Sequence, residues 1–390
     1  MSHTLPETFQ NLKSMDPENS VIYCKRCVLS NQRPRLMFNK EGVCAACLYS
    51  EHKKTVIDWD KREKELEILC DKFRKEDGSW DVLVPGSGGK DSAYVAWYLK
   101  EKLGMNPLSV TWAPSIPTDI GRENLYNFIQ AGYDNILGTP NGKIHKKLSK
   151  ITFEEFGDNF LPFIYGQINF PYQIALKFDI PLVFFGEDGD VEYGGSFERY
   201  DQSQLDVSYS VKSKFSSLAP EYWRKFGVSE KDLKYYHGPS VENIRKAGIE
   251  AHYFGYFTNW SPEKHYEVAK KYLGFKPSPV RSEGTYTNYA SLDDKTDGFH
   301  YYMSLIKFGT ARATSDAAHQ IRDNIISRDE GVDLVLQYDD EYPKLNEKEF
   351  LEYAGIDHQK LNEIFDKFRR GLIWRKENGD WLLKHQVKKL

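Results

Sequence analysis

No run of about 18 apolar residues occurs anywhere in the chain, so no segment reads as a bilayer-spanning helix. The polar start, MSHTLPETFQNLKSMD, lacks the apolar core of a secretory signal, and the expected compartment is the cytoplasm. An excess of basic charge is missing too: 53 Lys and Arg against 57 Asp and Glu leave a net charge of −4, which gives no overall footprint for a long nucleic acid. Cysteine is scarce, five in 390 residues, and in a cytosolic chain disulfides are not expected. Aromatic residues, in contrast, are abundant at 14%, with 25 Tyr, as on surfaces that meet sugars or partner proteins and in cores. Length and a hydrophobic content of 40% suit a globular protein of two or three domains.

Four of the five cysteines fall within 24 residues, as two Cys-x-x-Cys pairs, Cys24 with Cys27 and Cys44 with Cys47. Each pair directs two thiolates at one point, and the 16 residues between the pairs have room to fold back as a hairpin through Asn39 and Gly42. Four sulfurs fit a structural zinc ion with no open position for water. An iron–sulfur cluster and a redox dithiol pair are the alternatives. Cys70, beside Leu66, Leu69 and Phe73, reads as a core filler.

The stretch that carries chemistry is WDVLVPGSGGKDSAYVAWYL, Trp80 to Leu99. Asp81–Val84 reads as a buried strand, Pro85–Lys90 as a glycine-rich turn and Asp91–Leu99 as the start of a helix. A helix N-terminus behind such a turn leaves backbone N–H groups unpaired, and glycines let them approach phosphate oxygens. A Ser or Thr after Lys90 is absent, Asp91 standing there instead, which excludes the usual P-loop of NTPases. The core SGGKDS, Ser87 to Ser92, resembles the pyrophosphate-binding loop of the N-type ATP pyrophosphatases, which adenylylate a carbonyl oxygen.

Further strands are expected at Pro107–Trp112, Asn135–Gly138 and Pro181–Phe185, alternating with helices at Glu123–Ala131 and Lys143–Lys150, the pattern of βα units on a parallel sheet. Ile164–Phe178 reads as helical after Pro171, and a charged helix is expected from Tyr49 to about Lys75. The basic cluster Lys143, His145, Lys146 and Lys147 suits phosphates or a solvated face equally. After Phe185 comes GEDGDVEYGG, whose Glu187, Asp188, Asp190 and Glu192 would stand at the carboxyl edge of the sheet, where ligands of open α/β sheets bind. His252 begins an aromatic strand or turn, and Ser261–Pro262 starts a helix. Three helices are expected over 292–340, with Asp293, Asp294, His300, Lys307, Arg312, Asp316 and Arg322 as conspicuous polar groups, then one over Asn346–Arg370 and a basic tail.

Together, the two cysteine pairs, SGGKDS, GEDGDVEYGG and LDDKTDGFHYYMSLIKFG…ARATSD…ISRDE resemble the N-acetyl sugar amidotransferases of lipopolysaccharide O-antigen and flagellin-glycan biosynthesis. The resemblance implies an adenine nucleotide α-hydrolase-like α/β domain over 80–280, with an insertion at about 200–245. It is preceded by a flexible 1–20, a zinc knuckle over 21–50 and a linking helix over 51–79, and followed by a mainly helical 281–390. It implies conversion of an acetamido to an acetamidino group on a nucleotide-linked sugar, with ATP, magnesium and ammonia, the ammonia coming from a separate glutaminase subunit and in some members with a cyclase-like companion. Ser87, Gly88, Gly89, Lys90, Asp91 and Ser92 would hold the nucleotide, with Asp91 as a magnesium ligand. Glu187 or Glu192 would stand at the reaction centre, the alternative being an acidic turn with a structural role, and Lys307, Arg312 and Arg322 are candidates to meet the sugar nucleotide, the alternative being helix-surface or capping residues. With four cysteines on metal and Cys70 in an apolar setting, no thiol is left for glutamine hydrolysis, in line with an outside ammonia source. The rival readings are a tRNA-thiolating enzyme, which would need a persulfide cysteine or an iron–sulfur cluster, and a nucleotide-binding protein without turnover.

Overall fold

The computed structural model describes residues 5–205 and 219–390. Helix α1 (Ala45–Thr55) starts directly at the second cysteine pair, and α2 (Trp59–Phe73) follows it. The single helix expected from Tyr49 is thus two. Asp58 accepts a hydrogen bond from the Lys61 N–H and so caps a new helix where the first has ended. Cys24, Cys27 and Cys44 are fully buried, and the turn Asn39–Gly42 folds the chain back between the pairs. Phe9 stacks on Phe197 at 4.5 Å, laying residues near the start of the chain against this unit.

Among the described residues five strands form one parallel sheet: β1 (Val82–Pro85), β2 (Pro107–Trp112), β3 (Asp134–Gly138), β4 (Leu182–Phe185) and β5 (Glu250–Tyr253), in the order β3-β2-β1-β4-β5. Side chains alternate between two cores. Val82 and Val84 pack with Leu182, Phe184 and Phe254, whereas Leu83 packs with Leu108, Val110 and Val183. Burial on both faces is why VLV, PLSVTW and LVFF are continuous apolar runs.

Helix α3 (Lys90–Trp97) leaves the central strand β1 and continues through a π-helical turn, Tyr98–Lys102. Next come α4 (Asp119–Gln130), α5 (Gly142–Phe156) and α6 (Leu161–Lys177). Helix α6 does not wait for Pro171 as expected but runs through it. Buried Tyr165, Ile168, Tyr172 and Ile174 lie on both sides of the proline, and their burial outweighs the one backbone hydrogen bond it removes. In the region expected as an insertion, short helical turns lie at Pro220–Phe226, Glu230–Leu233 and Val241–Lys246, while 206–218 lie outside the described residues.

Helix α7 (Pro262–Tyr272) packs against α3. The C-terminal region holds α8 (Asp297–Phe308), α9 (Arg312–Arg322), α10 (Arg328–Tyr338), α11 (Glu347–Ala354) and α12 (His358–Phe368). Gly355, at φ 61°, ends α11 and splits the helix expected over Asn346–Arg370. The tail is a hairpin, β6 (Trp374–Glu377) with β7 (Asp380–Leu383), turned by Asn378 and Gly379 at φ 51° and 97°. Among the described residues no helix is long and apolar enough to cross a membrane. The parallel sheet with a glycine-rich turn on its central strand is the α/β core expected from the sequence, with a four-cysteine unit before it and a helical region after it.

Candidate active site

The turn after β1 is shaped by what it touches. The Gly86 N–H donates to Val110 of β2, and the Thr111 hydroxyl donates to the Gly86 carbonyl at 2.6 Å. Gly88 adopts φ +79°, and a Cβ there would meet the Leu125 backbone of α4 at 2.7 Å, so only glycine fits. Gly89 opens α3 without any side-chain cap, which leaves the first N–H groups of the helix for an anion.

Lys90 is buried, and its Nζ lies 2.5 Å from Oδ2 of Asp91. The other oxygen, Oδ1, faces Nδ1 of His265 at 2.8 Å. Burial would raise the Asp91 carboxyl, but Lys90 and His265 outweigh it and hold it well below the usual carboxylate range. His265, fully buried on α7, lies face to face with Tyr94 and edge-on to Trp260, each at 4.2 Å. Burial lowers its own pKa, so the ring is neutral: Nδ1–H donates to Asp91, and Nε2 has no partner among the described residues.

Above the turn lies a cavity of about 450 Å³. Ser87, Gly89, Lys90 and Asp91 line it, with Glu187 at the end of β4 and a second wall from Tyr289–Gln320. In that wall Asp293 lies across the cavity lining from Ser87. Burial raises Asp293, and burial together with Asp293 and Asp294 lifts Asp297 well above the ordinary range. Asp294 is structural: it accepts hydrogen bonds from the N–H groups of Ser115, Ile116 and Thr296, which ties the wall to the loop after β2. Arg312, at the start of α9, pairs with Asp316 at 3.0 Å and donates to the Tyr301 hydroxyl at 2.6 Å. Phe160, Phe163 and Ile164 make part of the lining apolar, and His300 touches Phe160 at a ring distance of 4.8 Å.

Of the expected site residues, Ser87, Gly89, Lys90, Asp91, Glu187 and Arg312 thus share one cavity. Three others stand apart. Glu192 is turned away by the helical turn Gly189–Glu192, and its two oxygens lie 2.8 and 2.9 Å from Lys53 of α1 in a closed pair. Lys307 donates to the carbonyls of Phe156 and Gly157 at 3.0 and 3.3 Å. Arg322 is buried beside Cys47, Cys27 and Cys44, and its carbonyl accepts hydrogen bonds from Ser50 and Lys54 of α1. The basic cluster at 143–147 does not line the cavity either: His145 is buried, and Lys146 and Lys147 bond the carbonyls of Glu352 and Gly227. Sequence reasoning missed His265, which lies 174 residues from its partner Asp91 and carries no local signal.

The four cysteine sulfurs lie within 4.8 Å of one another, the arrangement of one metal site. Sγ of Cys24 accepts hydrogen bonds from the N–H groups of Arg26 and Cys44 at 3.4 and 3.3 Å, which favours the thiolate that a metal requires. Cys70 is fully buried, outside the cavity, its thiol pushed up to about 12 by burial.

Residues 283–388 match a family model described as LPS biosynthesis protein WbpG-like, C-terminal domain. The uncharacterized protein MJ1599 of Methanocaldococcus jannaschii is 35% identical over 89 residues, 22% of this chain, and the chain spans 31% of that relative's length. A solved structure, the U34-tRNA thiolase NcsA from Methanococcus maripaludis with its [4Fe-4S] cluster, aligns over 78% of this chain and 86% of its own at 15% identity and a TM-score of 0.29, a likeness that transfers neither fold nor activity.

Proposed function

We propose that the protein is an ATP-dependent, AMP- and pyrophosphate-forming enzyme that activates the amide oxygen of an acetamido sugar, carried on a nucleotide, and replaces it with ammonia's nitrogen to give an acetamidine. One observation carries the reading. The glycine-rich turn, with Ser87, and the segment matching a lipopolysaccharide-biosynthesis domain, with Asp293, Asp297 and Arg312, line the same cavity. An amide carbonyl is a poor electrophile, so its oxygen must first become a leaving group. Attack of that oxygen on the α-phosphorus of ATP forms an O-adenylyl imidate, and pyrophosphate departs. The turn's N–H groups and Lys90 stabilise the departing charge. Asp91 and Asp293 are oxygen donors of the kind a magnesium–nucleotide complex takes. Glu187 and Arg312 face the same cavity and are the acidic and basic groups closest in kind to a substrate role. Ammonia would come from a separate glutaminase subunit, since the one spare thiol, Cys70, is buried and held protonated.

The knuckle would hold zinc. A tetrahedron with metal–sulfur bonds of about 2.3 Å has edges of about 3.8 Å, and Cys24–Cys47 and Cys27–Cys44 are separated by 3.9 and 3.7 Å. A four-iron cluster sets iron and sulfide between the thiolates and spreads them farther.

The second reading, thiolation of a tRNA base, uses the same turn and adenylylation and is favoured by the four-cysteine cluster if that cluster carries iron. Two measurements separate them. Incubation with ATP, magnesium, ammonium and a panel of UDP-linked acetamido sugars should release pyrophosphate and yield a product lighter by the difference between oxygen and NH. A brown, iron-containing protein that releases pyrophosphate with tRNA and with no sugar would instead establish the second reading, and release of ADP would exclude both.

A further inference from the structure

We propose that His300, oriented by Asp158, is the general base for the nitrogen-addition step, an assignment that rests on the amidine-forming reading above. His300 lies on α8 with its side chain 31% exposed and opening on the cavity, and its Nδ1 is 3.3 Å from Oδ1 of Asp158. Burial would raise the Asp158 carboxyl, but His300, Lys307 and the N–H of Phe160, at 2.9 Å, outweigh it and keep it ionised. An ionised carboxylate only accepts, so Nδ1 of His300 carries the proton and Nε2 keeps its lone pair. Lys307, which the sequence suggested for substrate, is then a positioning residue: bonded to the carbonyls of Phe156 and Gly157, it holds its charge next to Asp158. The charged and titratable groups around His300 are Asp158, Lys307 beyond it, Tyr301 with its partner Arg312, and Asp297 one turn earlier on α8.

The cavity offers one other imidazole, and its surroundings disqualify it. His319 is buried, and Arg322, Lys53, Arg33 and Arg312 add to the burial in driving its pKa well below the ordinary value, so it resists taking up a proton. His300 has a carboxylate behind it to stabilise the imidazolium. It also adjoins Phe160 in the apolar part of the lining, with Phe163 and Ile164, which disfavours ammonium and water relative to ammonia. Ammonia adds to the carbon of the protonated imidate, forming the C–N bond and placing a positive charge on the new nitrogen. Nε2 of His300 takes one proton from that nitrogen. The lone pair so freed expels AMP by breaking the C–O bond, leaves the amidine as its cation, and the imidazolium returns its proton to solvent.

The test uses the full chain with ATP, magnesium, ammonium and the panel of UDP-linked acetamido hexoses and their uronates. Two rates are followed: sugar-dependent exchange of labelled pyrophosphate into ATP, which reports adenylylation, and amidine formation by mass spectrometry. In His300→Gln, amidine formation should fall about 100-fold or more while exchange continues. Imidazole added to His300→Gly should restore amidine formation, and Asp158→Ala should lower amidine formation while exchange continues, with Asp158→Glu recovering part of it. Parental amidine formation in His300→Gln, loss of exchange together with amidine in the folded variant, or failure of imidazole to rescue would each overturn the assignment while leaving the adenylylation reading in place. Absence of sugar-dependent exchange in the parent protein would overturn that reading and the base with it.

Discussion

Glu192 illustrates what a residue's type conceals. Its sequence neighbourhood, an acidic turn at the end of a strand, is shared with Glu187, yet one helical turn between them sends Glu187 to the cavity and Glu192 to Lys53, both members of the pair over 90% buried. Removing one partner leaves a buried, uncompensated charge. Lys53→Met should therefore cost about 3–5 kcal/mol in urea unfolding, and Lys53→Met with Glu192→Gln should recover most of it. The double variant should also keep its pyrophosphate release; loss of that activity in the stable double variant would return Glu192 to the chemistry. Gly88 makes the opposite case, since the tight turn it forms is legible from SGGKDS alone. Gly88→Ala should destabilise by roughly 1–3 kcal/mol, because the φ of +79° is strained for alanine and the Leu125 backbone must give way, and it should abolish pyrophosphate release. His265 and Asp293 were not legible as neighbours of the turn, because the bond of His265 to Asp91 and the place of Asp293 in the cavity wall depend on how distant segments pack and leave no periodic or spaced signal.

At the scale of elements, α1 does three jobs at once. It begins at Cys44 and carries Cys47, it presents Lys53 to Glu192, and through Ser50 and Lys54 it holds the last carbonyl of α9, the helix whose first residue is Arg312. The cysteine spacing disclosed a metal site, and the structure adds that the site buttresses the cavity wall. Chelation, or Cys44→Ser, should lower the thermal midpoint and pyrophosphate release together, and zinc added to the chelated wild type should restore both. Elemental analysis should find one zinc per chain, and unchanged activity in fully metal-free protein would sink the buttress. Strand positions were the most readable elements, since burial on both faces forces continuous apolar runs. The C-terminal hairpin went unread even though Asn378–Gly379 is a strong turn signal, because the basic residues around it obscured the pattern.

For the whole molecule, two buried groups set opposing pH trends. Burial pulls His145 down to about 4 from 6.5, so the stability of its neutral form is complete above 6.5 and is lost as pH falls toward 4, on the order of 3 kcal/mol in all. Burial, against the N–H groups of Thr314 and Ala311 and the Thr314 hydroxyl, lifts Asp339 to about 6. Its contribution is complete below 3.8 and is lost as pH rises through 6, the opposite direction. Thermal midpoints measured from pH 4 to 7 should show His145→Gln gaining on the parent as pH falls. Asp339→Asn should lose ground over the same range, and parallel curves would refute the assignment.

Asp294 sets the order in which the molecule can be completed. It joins the wall of the cavity to the loop after β2 across 179 residues of chain. During synthesis the glycine-rich turn, β1 and β2 leave the ribosome long before that carboxylate exists, so the nascent sheet must keep an open carboxyl edge until residues near 294 emerge. A chain stalled before that point would carry the glycine-rich turn without its opposite wall, which makes the enclosure of the cavity a late event in the biogenesis of the protein.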